Sequence, residues 1–363
     1  SRYDRLDQHL LQQQQRYSGG SGQDGPSGGP GSARVRLLRP TLWALAFIAG
    51  TYYACASSFV DSRGLARPRT QSFLDMVWSG SGQESEQDRI QALMSDADVR
   101  RLVGRSHSAA SESHARMLRR IARLPGWVPF EAKRTAAAFA DQWYRKSAGA
   151  RCVYTLVGLN AVVFGMWRIP RLLPLMARSF LHDPRSGLSY TLLTSSFSQR
   201  EVGHLVFNMF ALVSFGTSVA DAMGAEHFLA FYLSAGVASS LASHLLAPLR
   251  PALILPSLGA SGAVYSVIAA TAMLFPDAQV ALIFLPFMPF TVSQAFKALM
   301  AYDLVGAVLG WRTFGHIAHF SGGLFGVAYF TWCTGAWSEL VRGIAAARLR
   351  AQRPPAAPRR AIE

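Results

Sequence analysis

Between residues 150 and 335 the chain is divided into apolar runs of about 17 to 21 residues, separated by short polar stretches. A helix needs about 20 apolar residues to cross the hydrocarbon of a bilayer. Six runs meet that length within a residue or three: 151–167, 202–219, 228–246, 258–275, 291–311 and 315–333. An isolated run at 41–60 carries no charge at all. The second apolar feature, "VALIFLPFMPF" at 280–290, is short and broken by proline, and reads as a loop or interfacial segment. Only 16% of the residues are charged, where a soluble domain usually carries about 25%. The expected fold class is an all-α polytopic membrane protein, with six clustered helices preceded by one extra span.

The domain organisation follows from composition. Residues 1–40 are low complexity, with "QQQQ" and "GGSGQDGPSGGPGS", and cannot bury a core. Their arginines outnumber their acids, as in an organelle-targeting region. Run 41–60 is long for a signal-peptide core and starts forty residues in, which favours a true span. Residues 61–149 are polar, with helical spacing of apolar residues at 88–105 and 113–127. In 131–146, Ala, Phe and Trp fall on one side and Lys and Arg on the other. That pattern fits an interfacial helix before the next span and equally an exposed one. Residues 150–335 hold the bundle, and 336–363 form a basic tail.

The net charge of +15 is spread over loops and tails, with no basic stripe interleaved with aromatics. Lipid headgroups are therefore the expected partner, and nucleic acid is not. Cys55, Cys152 and Cys333 lie in or beside apolar runs with no CxxC pair, a pattern of neither a disulfide framework nor a zinc site. No cofactor is called for.

Strongly polar groups inside a membrane are expensive, so each is a candidate for function. They are His204, Asn208, His244, Ser261, Lys297, Asp303, His316 and His319. His244, Lys297 and Asp303 read as packing or pairing residues, Lys297 near enough to a span end to snorkel. His316, at a span edge, reads as solvated. Alternation of the spans across the bilayer puts His204 and Asn208, Ser261, and His319 near the starts of the third, fifth and seventh spans. All four then lie toward the face on which the N-terminus sits.

Serine and histidine make the minimal nucleophile–base pair. His204 and Asn208 are four residues apart on one helix face and can donate N–H groups to an oxyanion, with the Ser261 backbone N–H as a third donor. Gly259 and Gly262 flank Ser261 in "SLGASGAVYS" and leave room for another backbone. The soluble-hydrolase elbow G-x-S-x-G is not matched, because position 263 is Ala. "HIAH" lacks the Glu of H-E-x-x-H. An aspartyl pair fails for want of a second acid to match Asp303. A transporter using the buried polar groups would show inverted repeats, and none is evident.

"HLVFN", "GASGAVYS" and "HFSGGLFG", in that order on alternate spans, resemble the motifs of the rhomboid intramembrane serine proteases over about residues 150–335. The extra first span, "FYLSAGVASS" and "LPSLGASGA" resemble the mitochondrial branch. The resemblance implies Ser261 as nucleophile and His319 as base of a dyad, since the family's base immediately precedes the small-residue run. It implies His204 and Asn208 in the oxyanion hole and Gly259 and Gly262 as active-site packing. Bacterial members carry a Trp-Arg pair in the first core loop; Trp167-Arg168 stands at a span end and is given no such role here. The implied reaction is hydrolysis of a peptide bond in or near the transmembrane helix of single-pass substrates, in mitochondrial signalling. An inactive, chaperone-like relative is the alternative, disfavoured because both Ser261 and His319 are present.

Arginines and lysines flank the spans on both sides, so the positive-inside rule does not orient the chain. The mitochondrial resemblance implies a multi-pass protein of the inner membrane, its N-terminus and active site toward the matrix. Seven spans put the C-terminus on the opposite side from the N-terminus. Protease-protection mapping of tags at the two ends checks this; protection of both from the same side contradicts it.

Overall fold

A computed structural model describes residues 35–63, 111–249, 256–282, 285–311 and 315–352. The low-complexity start through residue 34, the helical spacing at 88–105 and the last residues of the basic tail lie outside the described residues. The long helices are α1 (Leu38–Arg63), α2 (111–122), α3 (Phe130–Arg145) and α4 (Ala148–Met166). After the short helices α5 (Leu173–Ser179) and α6 (Thr191–Thr194) come α7 (Val202–Met223), α8 (Ala225–Leu246) and α9 (Ser261–Leu274). A hairpin of β1 (Gln279–Leu282) and β2 (Leu285–Thr291) precedes α10 (Val292–Leu309), α11 (His316–Ala328) and α12 (Thr334–Ala351). This is an all-helical polytopic membrane fold. Five of the helices, α1, α4, α7, α8 and α10, are long and apolar enough to cross a bilayer.

The other two expected spans differ from the sequence reading. Helix α9 has 14 residues and rises about 21 Å, against about 30 Å of hydrocarbon. It begins at Ser261 rather than at Leu258 because the preceding backbone is committed elsewhere. Ser257 exchanges two backbone hydrogen bonds with His182, and the Gly259 N–H donates to the Ser195 carbonyl. Gly259 has φ +145°, a region open to glycine almost alone. Helix α11 ends at Ala328 and continues through a π-helical turn, Tyr329–Cys333, into α12.

The segment at 280–290 forms the hairpin instead of a loop, pairing Gln279 with Thr291 and Val280 with Phe290. Its prolines, Pro286 and Pro289, exclude helix but are tolerated in a two-stranded sheet, where both strands are edges.

Helix α9 lies at the centre, buried on every side from Gly262 to Ala272 apart from Tyr265. A helix apolar all round must be enclosed by others, and α7, α8, α10 and α11 enclose it. The contact with α11 is backbone to backbone. A methyl group at Gly322 would overlap the Gly262 carbonyl, and one at Gly326 would lie 2.7 Å from the Ser266 carbonyl oxygen. The Ser266 hydroxyl donates to the Gly322 carbonyl at 2.5 Å.

Helix α1 packs on α8 and α12. At one end the Arg36 carbonyl accepts from His244 Nε2 at 2.9 Å, and His244 Nδ1 pairs with His182 Nε2 at 3.0 Å. At the other end Arg348 of α12 donates to Asp61 and Ser57. Residues 168–201 are pinned at their base, where buried Trp167 donates to Ser198 Oγ at 2.7 Å and Arg168 to the Arg200 carbonyl at 2.6 Å.

Gly322→Val should destabilise the bundle by about 1–3 kcal/mol, the usual effect of overpacking, because backbone faces it. Gly158→Ala, with nothing within 4 Å of the added carbon, should hold or slightly raise the thermal midpoint in detergent, since alanine is the better helix former. Equal midpoints for both variants would remove the α9–α11 contact from its central role.

Candidate active site

Ser261 is the first residue of α9 and His319 stands in the first turn of α11. The close seam between those helices carries the two side chains together: Ser261 Oγ is 2.8 Å from His319 Nε2. His319 Nδ1 lies 3.2 Å from Oδ1 of Asp303, which comes from α10 and is 0% exposed. The same Oδ1 lies 2.7 Å from His316 Nδ1. An ionised carboxylate only accepts hydrogen bonds. Both Nδ1 atoms therefore carry the protons, and the lone pair of His319 Nε2 faces the Ser261 hydroxyl. That tautomer is the one a general base requires.

Tyr265, one turn along α9 from Ser261, stacks on the His319 ring with centroids 4.5 Å apart and planes at 13°. The imidazole is thus held by a ring on its face and a carboxylate at its edge. His316 is seated against α10 where Gly306 leaves space, since a methyl there would come within 2.7 Å of its ring. The rings of Tyr302 and Trp311 lie edge-on to it at 5.5 and 5.8 Å.

His204 reaches the same place from α7. A methyl built on Gly259 would lie 2.9 Å from His204 Cε1 and 3.5 Å from Ser261 Oγ. The positive φ of Gly259 and its missing side chain together let this ring stand beside the serine. Asn208 is one turn further along α7 and buried, and its Nδ2 has no hydrogen-bond partner among the described residues. Gly262 faces Ser239 and the Ala318 carbonyl, so its role is to let α8 and α11 close on α9.

The structure thus brings Ser261, His319, His204 and Gly259 together, with Asn208 on the same face of α7. It corrects the reading of His316 as solvated: the residue is 3% exposed and bonded to Asp303. Asp303, read as a packing or pairing residue, is the carboxylate behind the histidine, which a Ser–His dyad did not call for. Tyr265 was not singled out at all. The signal for Asp303 was its acid side chain in the middle of an apolar run. Tyr265 had only its i+4 spacing from Ser261, a common relation in any helix. Lys297 is exposed, and His244 belongs to the network under α1.

The Rhomboid domain family model matches residues 186–335. "Presenilin-associated rhomboid-like protein, mitochondrial" of Rattus norvegicus is 42% identical over 191 residues, which are 52% of this chain and 50% of that protein. "Rhomboid protein 1, mitochondrial" of Saccharomyces cerevisiae is 38% identical over 188 residues, 51% of this chain and 54% of that protein. "RHOMBOID-like protein 12, mitochondrial" of Arabidopsis thaliana is 32% identical over 206 residues, 52% of this chain and 60% of that protein. The chain spans about half the length of the curated relatives it matches.

Proposed function

Because this chain carries a Rhomboid domain, we propose that it is an intramembrane serine endopeptidase. Its substrates are single-pass proteins, cut in or near their transmembrane helix. Its place is the mitochondrial inner membrane, since the relatives are named mitochondrial and several helices here are fit to span. The observation that carries the reading is the 2.8 Å contact between Ser261 Oγ and His319 Nε2.

Ser261 Oγ attacks the scissile carbonyl carbon while His319 Nε2 takes its proton. Asp303 holds Nδ1–H in place and stabilises the imidazolium that forms. The carbonyl oxygen becomes an oxyanion, within the province of His204, Asn208 and the Ser261 backbone N–H. Stabilisation of that charge in a site of low dielectric is commonly a large share of catalysis. Collapse of the tetrahedral species breaks the C–N bond, and His319 returns the proton to the leaving amine. A water then gives its proton to His319 and attacks the acyl-enzyme ester; the C–O bond to Ser261 breaks, His319 returns the proton to Ser261 Oγ, and the carboxylic acid product leaves. A helical substrate must unwind first, because its carbonyls are already bonded, so glycine or proline near the cut should favour it.

Purified protein and a model single-span substrate test the assignment. Ser261→Ala and His319→Ala should abolish both cleavage and labelling by a fluorophosphonate probe. His316→Ala should only weaken them. Asp303→Asn, which keeps the shape but not the charge, should lower turnover by about 100-fold, within the range of a general-base contribution, with its thermal midpoint held. Cleavage by Ser261→Ala at the native rate sinks the protease reading. Native turnover by Asp303→Asn leaves a dyad and removes the carboxylate from the mechanism.

A further inference from the structure

Helices α2 and α3 form a hairpin that the proteolytic site does not use. They are joined by "RLPGWVP" and closed by their own contacts. His114 Nε2 is 2.7 Å from Asp141 Oδ1, the His114 ring stacks on Tyr144, and Lys133 Nζ donates to the Leu124 carbonyl at 2.8 Å. Ile121 of α2 and Ala140 of α3 are buried.

The base of the hairpin is tied to a membrane-spanning helix. Only Lys146 and Ser147 separate α3 from α4, a reach of about 7 Å at full extension. Ser147 caps α4 by accepting from the Ala150 N–H, and its hydroxyl donates to Asp221 at the end of α7. Lys146 lies over the Tyr154 ring and Arg151 over Tyr144. The start of α4 is a membrane boundary, so α3 is held at the bilayer surface.

The outer faces of the hairpin are composed for that position. Trp127 is 82% exposed, Phe130 75% and Phe139 70%. At 100° per residue, Ala132, Ala136, Phe139 and Trp143 fall on one stripe of α3. Ala140 and Tyr144 lie beside it, and Arg134, Ala138 and Arg145 lie on the far side. Over 111–147 there are eight Lys and Arg against three Asp and Glu. Aromatic residues favour the headgroup level, and a basic, amphipathic helix binds anionic lipid through both faces.

We propose that the α2–α3 hairpin is a lipid-binding element that lies on the anionic bilayer surface, with the Phe139 stripe in the headgroup–acyl boundary and its basic side chains on lipid phosphates. It lies at the face where α4 enters, opposite the face where α9 and Ser261 begin, since three helices alternate between them.

Spin-label depth measurement tests this on the full chain, with Cys55, Cys152 and Cys333 replaced by alanine. Nitroxides are placed singly by Phe139→Cys and Ala138→Cys, and the protein is reconstituted into vesicles of phosphatidylcholine with one part in three phosphatidylglycerol. The Phe139 label should meet oxygen several-fold more than a water-soluble nickel chelate, and the Ala138 label the reverse. Equal access of nickel to both labels would show a solvated helix and overturn the proposal. A Phe139 label shielded from both reagents would show a protein partner or a second copy there, and would overturn it too. In pure phosphatidylcholine the Phe139 contrast should shrink; no change would overturn the role given to anionic phosphate.

Discussion

Backbone can meet backbone inside a lipid-embedded bundle only where side chains are missing, and in this chain that condition holds where α9 meets α11. A methyl on Gly322 or Gly326 of α11 would collide with the Gly262 or Ser266 backbone of α9, so the two helices meet with no side chain between them there. Lipid tails are as apolar as leucine, so burial alone would not drive this approach; packing and the Ser266–Gly322 hydrogen bond do. The 2.8 Å distance between Ser261 and His319 follows from the seam. Each side chain stands in the first turn of its helix, just beyond the small-residue contact, so the helix spacing sets the reach between them.

The carboxylate of Asp303 imposes a second constraint. A charge with no exposure in an apolar bundle is costly unless it is bonded on several sides. Two histidines from α11 bond to its Oδ1 at 2.7 and 3.2 Å, while Oδ2 has no hydrogen-bond partner among the described residues. The shorter one goes to His316, which the Gly306 gap accommodates. His316 thus holds the acid in place, and the acid in turn orients His319. One polar cluster therefore fixes α10 to α11 and selects the tautomer of His319. Structural and chemical roles coincide there because the same N–H groups serve both.

Five of the seven expected spans were legible from the sequence because length and charge are one-dimensional signals. The pairing of Ser261 with His319 was legible through alternation of spans and the motif that His319 opens. Other features depended on partners distant in sequence. The start of α9 is set by Ser195 and His182, about 65 and 75 residues before the backbone groups they bond, and a hydropathy run cannot register them. Asp303 and His316 looked like separate polar residues because one was in mid-span and the other at an edge; a helix–helix contact joins them. Residues 336–351 were read as part of a basic tail, and their arginines masked a stripe. Trp337, Val341, Ile344, Ala345 and Leu349 are buried, and a helix presents that spacing on one face.

That stripe changes what the first helix can be. Were α1 a plain anchor, lipid would surround it and its polar ends would face solvent. Instead α12 covers it near Asp61 and Ser57, and His244 holds its start at the Arg36 carbonyl. From His244 the contacts run to His182, and from the His182 backbone to Ser257, four residues before Ser261. Ser257 is itself part of the extended segment that forces α9 to begin at Ser261. The start of α1 and the entry to α9 therefore share one buried pair of histidines, and displacement of either would break a hydrogen bond inside the protein. Such a bond is costly to leave unmade where water cannot replace it. The extra helix is accordingly part of the framework that holds Ser261, even though it contributes no side chain to the site.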